Sequence, residues 1–565
     1  MKRLATVAIV GLLLGGCGTE SILQKHQRNQ APTGATDVGV VVEKVGEADV
    51  VHFLNQNPNA KVRILNRDHG MYEIFGVAQE LVQEQLSPSA KMNSFFYFRQ
   101  PEKSVARFSK EVPGGLKLPG LQKCKKGSNA PIAKLEMLEP HDLGNGASLE
   151  SGKKIKFSSR ASASHPNSPS ALKRALVVLA PSTATTPETV VNSEDYEFVP
   201  DGLGAYQVFV VVQDSQNLCA MDSLAFVVTA NPAFTGHRAP KLDLDLAQLK
   251  HLSTVEAYDA WKISEGEGVL LAVIDTGINY NHPSLAPNVA INAKEVPGNG
   301  IDDDKNGFVD DIIGFDFVSN DSLPYDDDGH GTHVAGLAAS AHFGLARKAQ
   351  LLPIKAMTSV GGDVATIAAA IRYAVDRGAR VINLSLGASA EEAPKLIKEA
   401  VNYAQAHGSV VVAAAGNGDP FTGLGTDIDV NKVFPASLEN ENLIAVGASE
   451  ASSSLATYSN FGKNSVDVVA PGGHMPTDPI FSTAMENRKH EWLVAMSGTS
   501  MAAPIIAGII ADMIAANSSL DAPGIRQILL ESGQPLEDLK DVCASGRIIS
   551  AFSAVRQASS KNVLF

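Results

Sequence analysis

Apolar positions along this chain change texture near residue 250. Beyond it, continuously apolar runs at 268–274, 379–385 and 409–414 alternate with segments of helical period at 364–376 and 394–406. Runs apolar on both faces fit strands of a buried parallel sheet. The two helical segments are each followed by a glycine near their end, as helix termini commonly are. Residues 501–516 are apolar almost all round and predict a buried helix. Pro504 then has to lie close to that helix's start. The expected architecture of 250–560 is an α/β layered domain with a mostly parallel sheet.

The region before 250 reads differently. Strands are expected at 38–42, 61–65, 71–75 and 95–98, with short helices at 48–54 and 78–86. Asp68-His69-Gly70 supplies the hairpin turn. The order βαββαβ predicts a small α+β, ferredoxin-like module over 37–100. Residues 101–119 are rich in Pro, Gly and Lys and form a linker. Over 120–232, apolar runs such as 175–179, 206–212 and 225–228 are separated by Ser, Pro and Asn, without helical period. That pattern predicts an immunoglobulin-like β-sandwich, which Cys124 and Cys219 are placed to staple, although sequence does not fix their pairing. A second linker covers 231–245.

Length and charge narrow the picture. The chain has 565 residues, too many for one core, so several domains are expected. A net charge of −14 argues against nucleic acid or an anionic membrane surface as the main partner. At the N-terminus, Lys2 and Arg3 precede an apolar stretch at 4–14 that is too short to span a bilayer. It ends in Leu14-Gly15-Gly16-Cys17, which resembles the lipobox of bacterial lipoproteins. The resemblance implies that 1–17 is a signal segment, that Cys17 is lipidated, and that 18–36 tethers the protein to a membrane through its lipid. Gly18, rather than an aspartate, follows the cysteine and points to an outer-membrane or surface location. The alternative is an ordinary cleaved signal with a chance cysteine.

Candidate chemistry gathers where strands and helices end. Asp275 closes the 268–274 strand, and Asn417 lies just past the strand at 409–414. Ligands of open α/β sheets bind at the carboxyl ends of strands. His330 opens a stretch of small helical residues, and Ser500 precedes the apolar helix, where unpaired N–H groups favour a developing negative charge. Three segments carry a resemblance. They are Ala272-Val273-Ile274-Asp275-Thr276-Gly277, Asp328-Gly329-His330-Gly331-Thr332-His333-Val334-Ala335-Gly336 and Ser497-Gly498-Thr499-Ser500-Met501-Ala502-Ala503-Pro504. With their Asp…His…Ser order they resemble the subtilisin family of serine proteases, over 250–560. One departure is Ile505 after Pro504, where members often carry histidine.

The resemblance implies an endopeptidase acting through an acyl-enzyme, on protein or peptide substrates, with no cofactor for the chemistry. Ser500 would be the nucleophile, His330 the base, Asp275 its orienting partner and Asn417 an oxyanion-hole donor. Ser385-Leu386-Gly387 resembles the family's strand that pairs with substrate backbone, with Ala415 and Gly416 lining the same cleft. The 37–100 module resembles the inhibitory prodomain of many such proteases, the alternative being an unrelated α+β domain. Asp302, Asp304, Asn306 and Asp310 match EF-hand-like spacing for calcium, but Ile313 stands where the closing glutamate belongs. The alternative there is a solvated acidic loop, and Asp326-Asp327-Asp328 is expected to be one. A different class of function, a cell-envelope binding lipoprotein with an inactive protease domain, competes with the enzyme reading. The sequence leaves the oligomeric state open.

Overall fold

The structure, a computed structural model, describes residue 28, residues 39–97 with short breaks, parts of 121–229, and 248–560 with short breaks. Cys17, Cys124 and Asp327 lie outside the described residues.

Strands β1 (Val40–Val42), β2 (Lys61–Asn66), β3 (Met71–Phe75) and β4 (Lys91–Met92) form an antiparallel sheet in the order β2-β3-β1-β4. Helices α1 (Glu47–Gln56) and α2 (Gln79–Gln85) connect them in βαββαβ order. Side chains alternate across a strand. Val40, Val42, Val62 and Ile74 therefore pack with Val50, Phe53 and Leu54 of α1, while Val41, Leu65 and Met71 join a different core, described below. The strand expected at 95–98 does not close this sheet. That place belongs to β4, and β5 (Phe95–Tyr97) finds a partner elsewhere.

Eight further strands form two sheets. β6 (Glu136–Glu139), β8 (Ile155–Ser158) and β11 (Asp195–Phe198) make one in the order β11-β8-β6. β7 (Leu149–Glu150), β9 (Lys173–Leu179), β10 (Thr189–Val191), β12 (Gly204–Gln213) and β13 (Cys219–Thr229) make the other, in the order β10-β9-β12-β13-β7. Ile155 and Phe157 of the first share a core with Leu176, Val178, Val208, Val210 and Val212 of the second. Cys219 is disulfide-bonded.

The remainder is built on a nine-stranded sheet. Its strands are β14 (Leu270–Asp275), β15 (Phe315–Asp316), β16 (Gln350–Lys355), β18 (Val381–Leu384), β19 (Val410–Ala414), β20 (Leu443–Ser449), β21 (Val468–Pro471), β24 (Gln534–Pro535) and β25 (Arg547–Ile548), in the order β15-β16-β14-β18-β19-β20-β21-β25-β24. Every pair is parallel except β24 with β25. Outside this sheet, β17 (Gly361–Asp363) pairs with β5, and β22 (Ile480–Thr483) forms a hairpin with β23 (Leu493–Met496).

Helices cover both faces of the nine-stranded sheet. On one side, α3 (His330–Ala339), α6 (Thr499–Ala516) and α8 (Ala551–Ser560) bury Leu271, Val273, Val410 and Val412, and α7 (Ala522–Glu531) packs beside them. On the other, α4 (Val364–Asp376) and α5 (Pro394–Ala406) bury Ala272, Ile274, Ile382 and Val411, the alternate residues of the same strands. This second core is the one that Val41, Leu65 and Met71 of the N-terminal sheet join.

The helix α6 is apolar and long enough to cross a membrane by length and composition, yet 89% of it is buried inside the fold. It is a core helix with one buried carboxylate. Asp512 is fully buried, and neither carboxylate oxygen has a hydrogen-bond partner among the described residues. Burial, with Glu267 nearby, holds its carboxyl well above the usual carboxylate range, against the opposing pull of Arg347. The native state therefore keeps a proton that the unfolded chain releases, and this group's contribution to stability falls as pH rises. Asp512→Leu is expected to raise stability by about 1–3 kcal/mol, the cost of an unsatisfied buried polar group. Thermal melts should show the gain larger at pH 8 than at pH 5.

Candidate active site

Strand order locates the cleft. The chain leaves β14 for β16 on one side and later returns to β18 on the other, so the carboxyl end of β14 is a topological switch point. Asp275 is the last residue of β14 and is fully buried. An ionised carboxylate can only accept, so His330 Nδ1–H donates to Asp275 Oδ1 at 2.8 Å. The Thr276 amide donates to the same oxygen at 2.7 Å. Such closeness needs a glycine beside the imidazole. A Cβ on Gly331 would lie 2.1 Å from Gly277 O and 3.0 Å from Asp275 Cβ.

Asp326 fixes how α3 meets β14, and sequence reasoning missed it. The solvated loop expected at 326–328 does not hold for this residue, which is 1% exposed. Its Oδ1 accepts from Thr276 Oγ1 at 2.9 Å and from the amides of Asp328 and Gly329 at 3.0 and 2.9 Å. Its Oδ2 accepts from the Thr332 amide at 2.8 Å and hydroxyl at 2.6 Å. The strand end and the first turn of the helix are thus tied to one carboxylate. The available signal was an aspartate four residues ahead of a helix-opening histidine, a place where carboxylates complement free N–H groups.

His333 goes elsewhere. Its Nε2–H donates to Ile480 O of the hairpin at 3.0 Å, and burial pulls its pKa down to about 3. For His330, burial also disfavours the charged form, but Asp275, Asp328 and Asp326 outweigh it and leave the imidazole above its ordinary range.

Ser500 lies in the first turn of α6, and Pro504 accounts for its backbone tie. Proline has no amide hydrogen, so Ser500 C=O, four residues earlier, is left without a helical donor. Ser385 Oγ fills that role at 2.8 Å, and Ser500 Oγ in return donates to Ser385 O at 3.3 Å. Asn383 Nδ2 donates to Ser385 Oγ at 3.0 Å. Ser385, Leu386 and Gly387 continue β18 beyond its ladder, and Ala415, Gly416 and Asn417 continue the adjacent β19. Asn417 Oδ1 accepts from both the amide and the hydroxyl of Thr499, each at 2.9 Å. That pair of donors settles which end of the side chain is oxygen and turns Nδ2 towards Gly498. Asp275, His330, Ser385, Asn417 and Ser500 therefore converge on one edge of the sheet from five separate segments.

A second strand at this region was not anticipated. Gly361, Gly362 and Asp363 of β17 pair antiparallel with Tyr97, Phe96 and Phe95 of β5. Asp363 also caps α4, accepting from the Thr366 amide at 2.8 Å and hydroxyl at 2.6 Å. Arg63 from β2, 2% exposed, reaches Asp363 Oδ1 at 3.2 Å and Glu73 Oε2 at 2.6 Å. Arg372 and Asp376 of α4 pair with Glu43 at 2.7 Å and with His69 at 2.9 Å.

The acidic loop gathers residues other than those that EF-hand spacing predicts. Carboxylate oxygens of Glu295, Asp304 and Asp311 lie within 4.8 Å of one another. Asp302 instead accepts from the amides of Asn306 and Gly307 at 3.1 and 2.8 Å, and Asp310 Oδ2 accepts from the Gly300 amide at 3.0 Å. Asn306 donates to Asp311 at 3.2 Å. Only Asp304 of the four expected ligands belongs to the cluster. Burial, joined by Asp311, Asp304 and Asp302, pushes the Glu295 carboxyl up to about 7. Arg377 compensates Asp311 at 2.8 Å. An all-oxygen donor set of this kind fits a hard divalent cation.

Residues 266–546 match the family model described as the subtilase family. The chain is 39% identical over 304 residues to a thermophilic serine proteinase from Bacillus sp. (strain AK1), covering 52% of this chain and 64% of that protein. It is 34% identical over 309 residues to thermitase from Thermoactinomyces vulgaris, covering 54% of this chain and 94% of thermitase. Among solved structures, proteases from Pseudoalteromonas arctica PAMC 21717 align over 57% of this chain and 100% of theirs, with 27% identity and a TM-score of 0.45.

The electrostatics make a direct prediction. His330 should titrate above the usual histidine range, neutral above that pH and cationic below it. Asp328→Asn removes one of the charges that favour the cation and should move the titration to lower pH. A pH series of imidazole NMR shifts on the Ser500→Ala protein, with and without Asp328→Asn, checks the direction.

Proposed function

The chain belongs to the subtilase family, and from that premise we propose that it is an exported, lipid-anchored serine endopeptidase using Asp275, His330 and Ser500. The observation that carries the reading is the His330 Nδ1–Asp275 Oδ1 bond of 2.8 Å at the same strand edge as Ser500 and the oriented Asn417 amide. Ser500 Oγ attacks the peptide carbonyl, and His330 takes its proton and passes it to the leaving amine. Asp275 holds the tautomer and stabilises the imidazolium. Asn417 Nδ2 and the Ser500 amide receive the developing oxyanion. The base works only when neutral, so activity should be lost in acid as the medium falls through the raised pKa of His330.

The N-terminal sheet is an inhibitory module that acts across the intervening two-sheet unit, which we read as an immunoglobulin-like sandwich. The support is the β5–β17 pairing beside the cleft and the ion pairs to α4. Cys17 anchors the chain by lipid, and cutting between the module and the peptidase region would free the enzyme from the membrane. Calcium bound by Glu295, Asp304 and Asp311 would stabilise the acidic loop and take no part in the chemistry.

Labelling the protein from residue 18 onward with a fluorophosphonate, beside Ser500→Ala, and resolving products by mass tests the main reading. Label is expected on the parent and none on Ser500→Ala. Label confined to a shorter carboxyl-terminal fragment would support inhibition until cleavage. No label in any form would turn the reading towards an inactive binding lipoprotein. Asn417→Ala should lower kcat by about 10²–10³, the loss seen when subtilisin, of the same family, is deprived of its oxyanion-hole amide. Millimolar calcium should raise the melting temperature and chelation lower it, and Asp304→Asn should abolish the difference.

A further inference from the structure

The N-terminal sheet meets α4 through pairs of a basic and an acidic side chain, Arg63 with Asp363 and His69 with Asp376. At α5 it sets a carboxyl against a carboxyl. Glu43, which follows β1, and Glu399 of α5 share a hydrogen bond. An ionised carboxylate can only accept, so this bond exists only while the pair keeps a proton. The cations around it serve one ionised carboxyl and leave the other protonated. Arg372 of α4 donates to Glu43 Oε1 at 2.7 Å. Lys395 Nζ lies 3.8 Å from Glu399 Oε1, and Lys395, Arg372 and Lys44 all favour the ionised form of Glu399. Met71 of β3 packs beside the pair. It is fully buried in the core shared with α4, and Arg372 Nε donates to its Sδ at 3.2 Å.

Resting on the reading of the N-terminal sheet as an inhibitory module, we propose that Glu43 and Glu399 form a pH-sensitive latch. One shared proton holds the module against α5, and its loss as the medium turns from acid to alkaline loosens the module from the peptidase region. In the docked state, burial and the bond with Glu399 push the Glu43 carboxyl up to about 7, against the pull of Arg372. The bond with Glu43 keeps Glu399 below its usual range. Once the module leaves α5, Glu43 is solvated and ionises in the ordinary glutamate range. The docked state therefore holds a proton that the released state gives up. Docking is strongest below the ordinary glutamate range and weakens as pH rises through about 7. With both groups ionised, the bond becomes a repulsion of like charges. The direction matches that of the site, whose base His330 is neutral only above its raised pKa.

Methionine oxidation reads the latch without any catalysis. Met71 is uncovered only when the module leaves, Met475 is 49% exposed, and Met513 is fully buried on the opposite face of the nine-stranded sheet. The test exposes the Ser500→Ala chain, from residue 18 onward, to a brief pulse of hydrogen peroxide at about pH 5.5 and about pH 8, with methionine sulfoxide located by mass. Between the two, oxidation of Met71 relative to Met475 should rise at least about tenfold while Met513 stays protected. Glu399→Gln offers the Glu43 carboxylate a donor that needs no added proton, and should flatten the Met71 response. Glu43→Gln should flatten it as well. Equal protection of Met71 at both pH values, a response that persists in both variants, or loss of protection at Met513 in step with Met71 would overturn the latch. The inhibitory reading has its own measurement. In chains that keep Ser500, fluorophosphonate at about pH 8 should label the parent faster than Glu399→Gln. A Met71 response without that difference would support the latch and overturn the inhibitory reading alone.

Discussion

Proline 504 lacks an amide hydrogen, and the site is organised around that gap. Ser500 C=O is left unserved by its helix, and Ser385 reaches across to serve it while Ser500 Oγ answers to Ser385 O. Two bonds in opposite directions tie the start of α6 to the end of β18. Beyond these and the bonds from Thr499 to Asn417, the helix is held largely by apolar packing, which is strong but undirected. These bonds supply direction, setting the rotation and depth at which Ser500 enters the cleft.

A second tie of the same kind lies across the cleft. Asp326 gathers five donors from the residue that follows β14, from α3 and from the turn leading into it. A buried carboxylate is costly unless its lone pairs are met, and here the donors include free N–H groups at a helix start. The geometry that satisfies Asp326 is also the one that brings His330 against Asp275. Stability of the polar cluster and placement of the imidazole are thus one arrangement.

The N-terminal sheet shows how burial and charge divide the work of docking. Val41, Leu65 and Met71 supply apolar area to the core that α4 and α5 share. Arg63 supplies register. Its pairs with Glu73 and Asp363 are buried, and a buried charge that loses its partner is strongly penalised, so the sheet can sit on α4 in few ways. Asp363 is both the cap of α4 and the end of β17. The contact that seats the sheet is therefore continuous with the strand that receives β5.

Much of this was legible in the sequence, and the physical reason is locality. Strands buried on both faces must be apolar throughout, so the cores of β14, β18 and β19 are visible as runs, and α4 and α5 show in the period of their apolar residues. Asp275, His330, Ser500 and Asn417 stand beside such elements in distinctive local company. The sequence could not say that Asp326 is buried, that β5 leaves its own sheet for β17, or that Glu295 and Asp311 gather with Asp304. Nor could it show that Glu43 and Glu399 share a hydrogen bond. Each of these depends on which remote segments share a neighbourhood. A carboxylate near other carboxylates in sequence reads as solvated until the fold shows that its donors come from elsewhere. Composition and period determined the elements, and the motifs beside those elements carried the resemblance that implied their chemistry. Only the tertiary structure decided their partners, because burial, pairing and pocket shape belong to contacts between segments far apart in the chain.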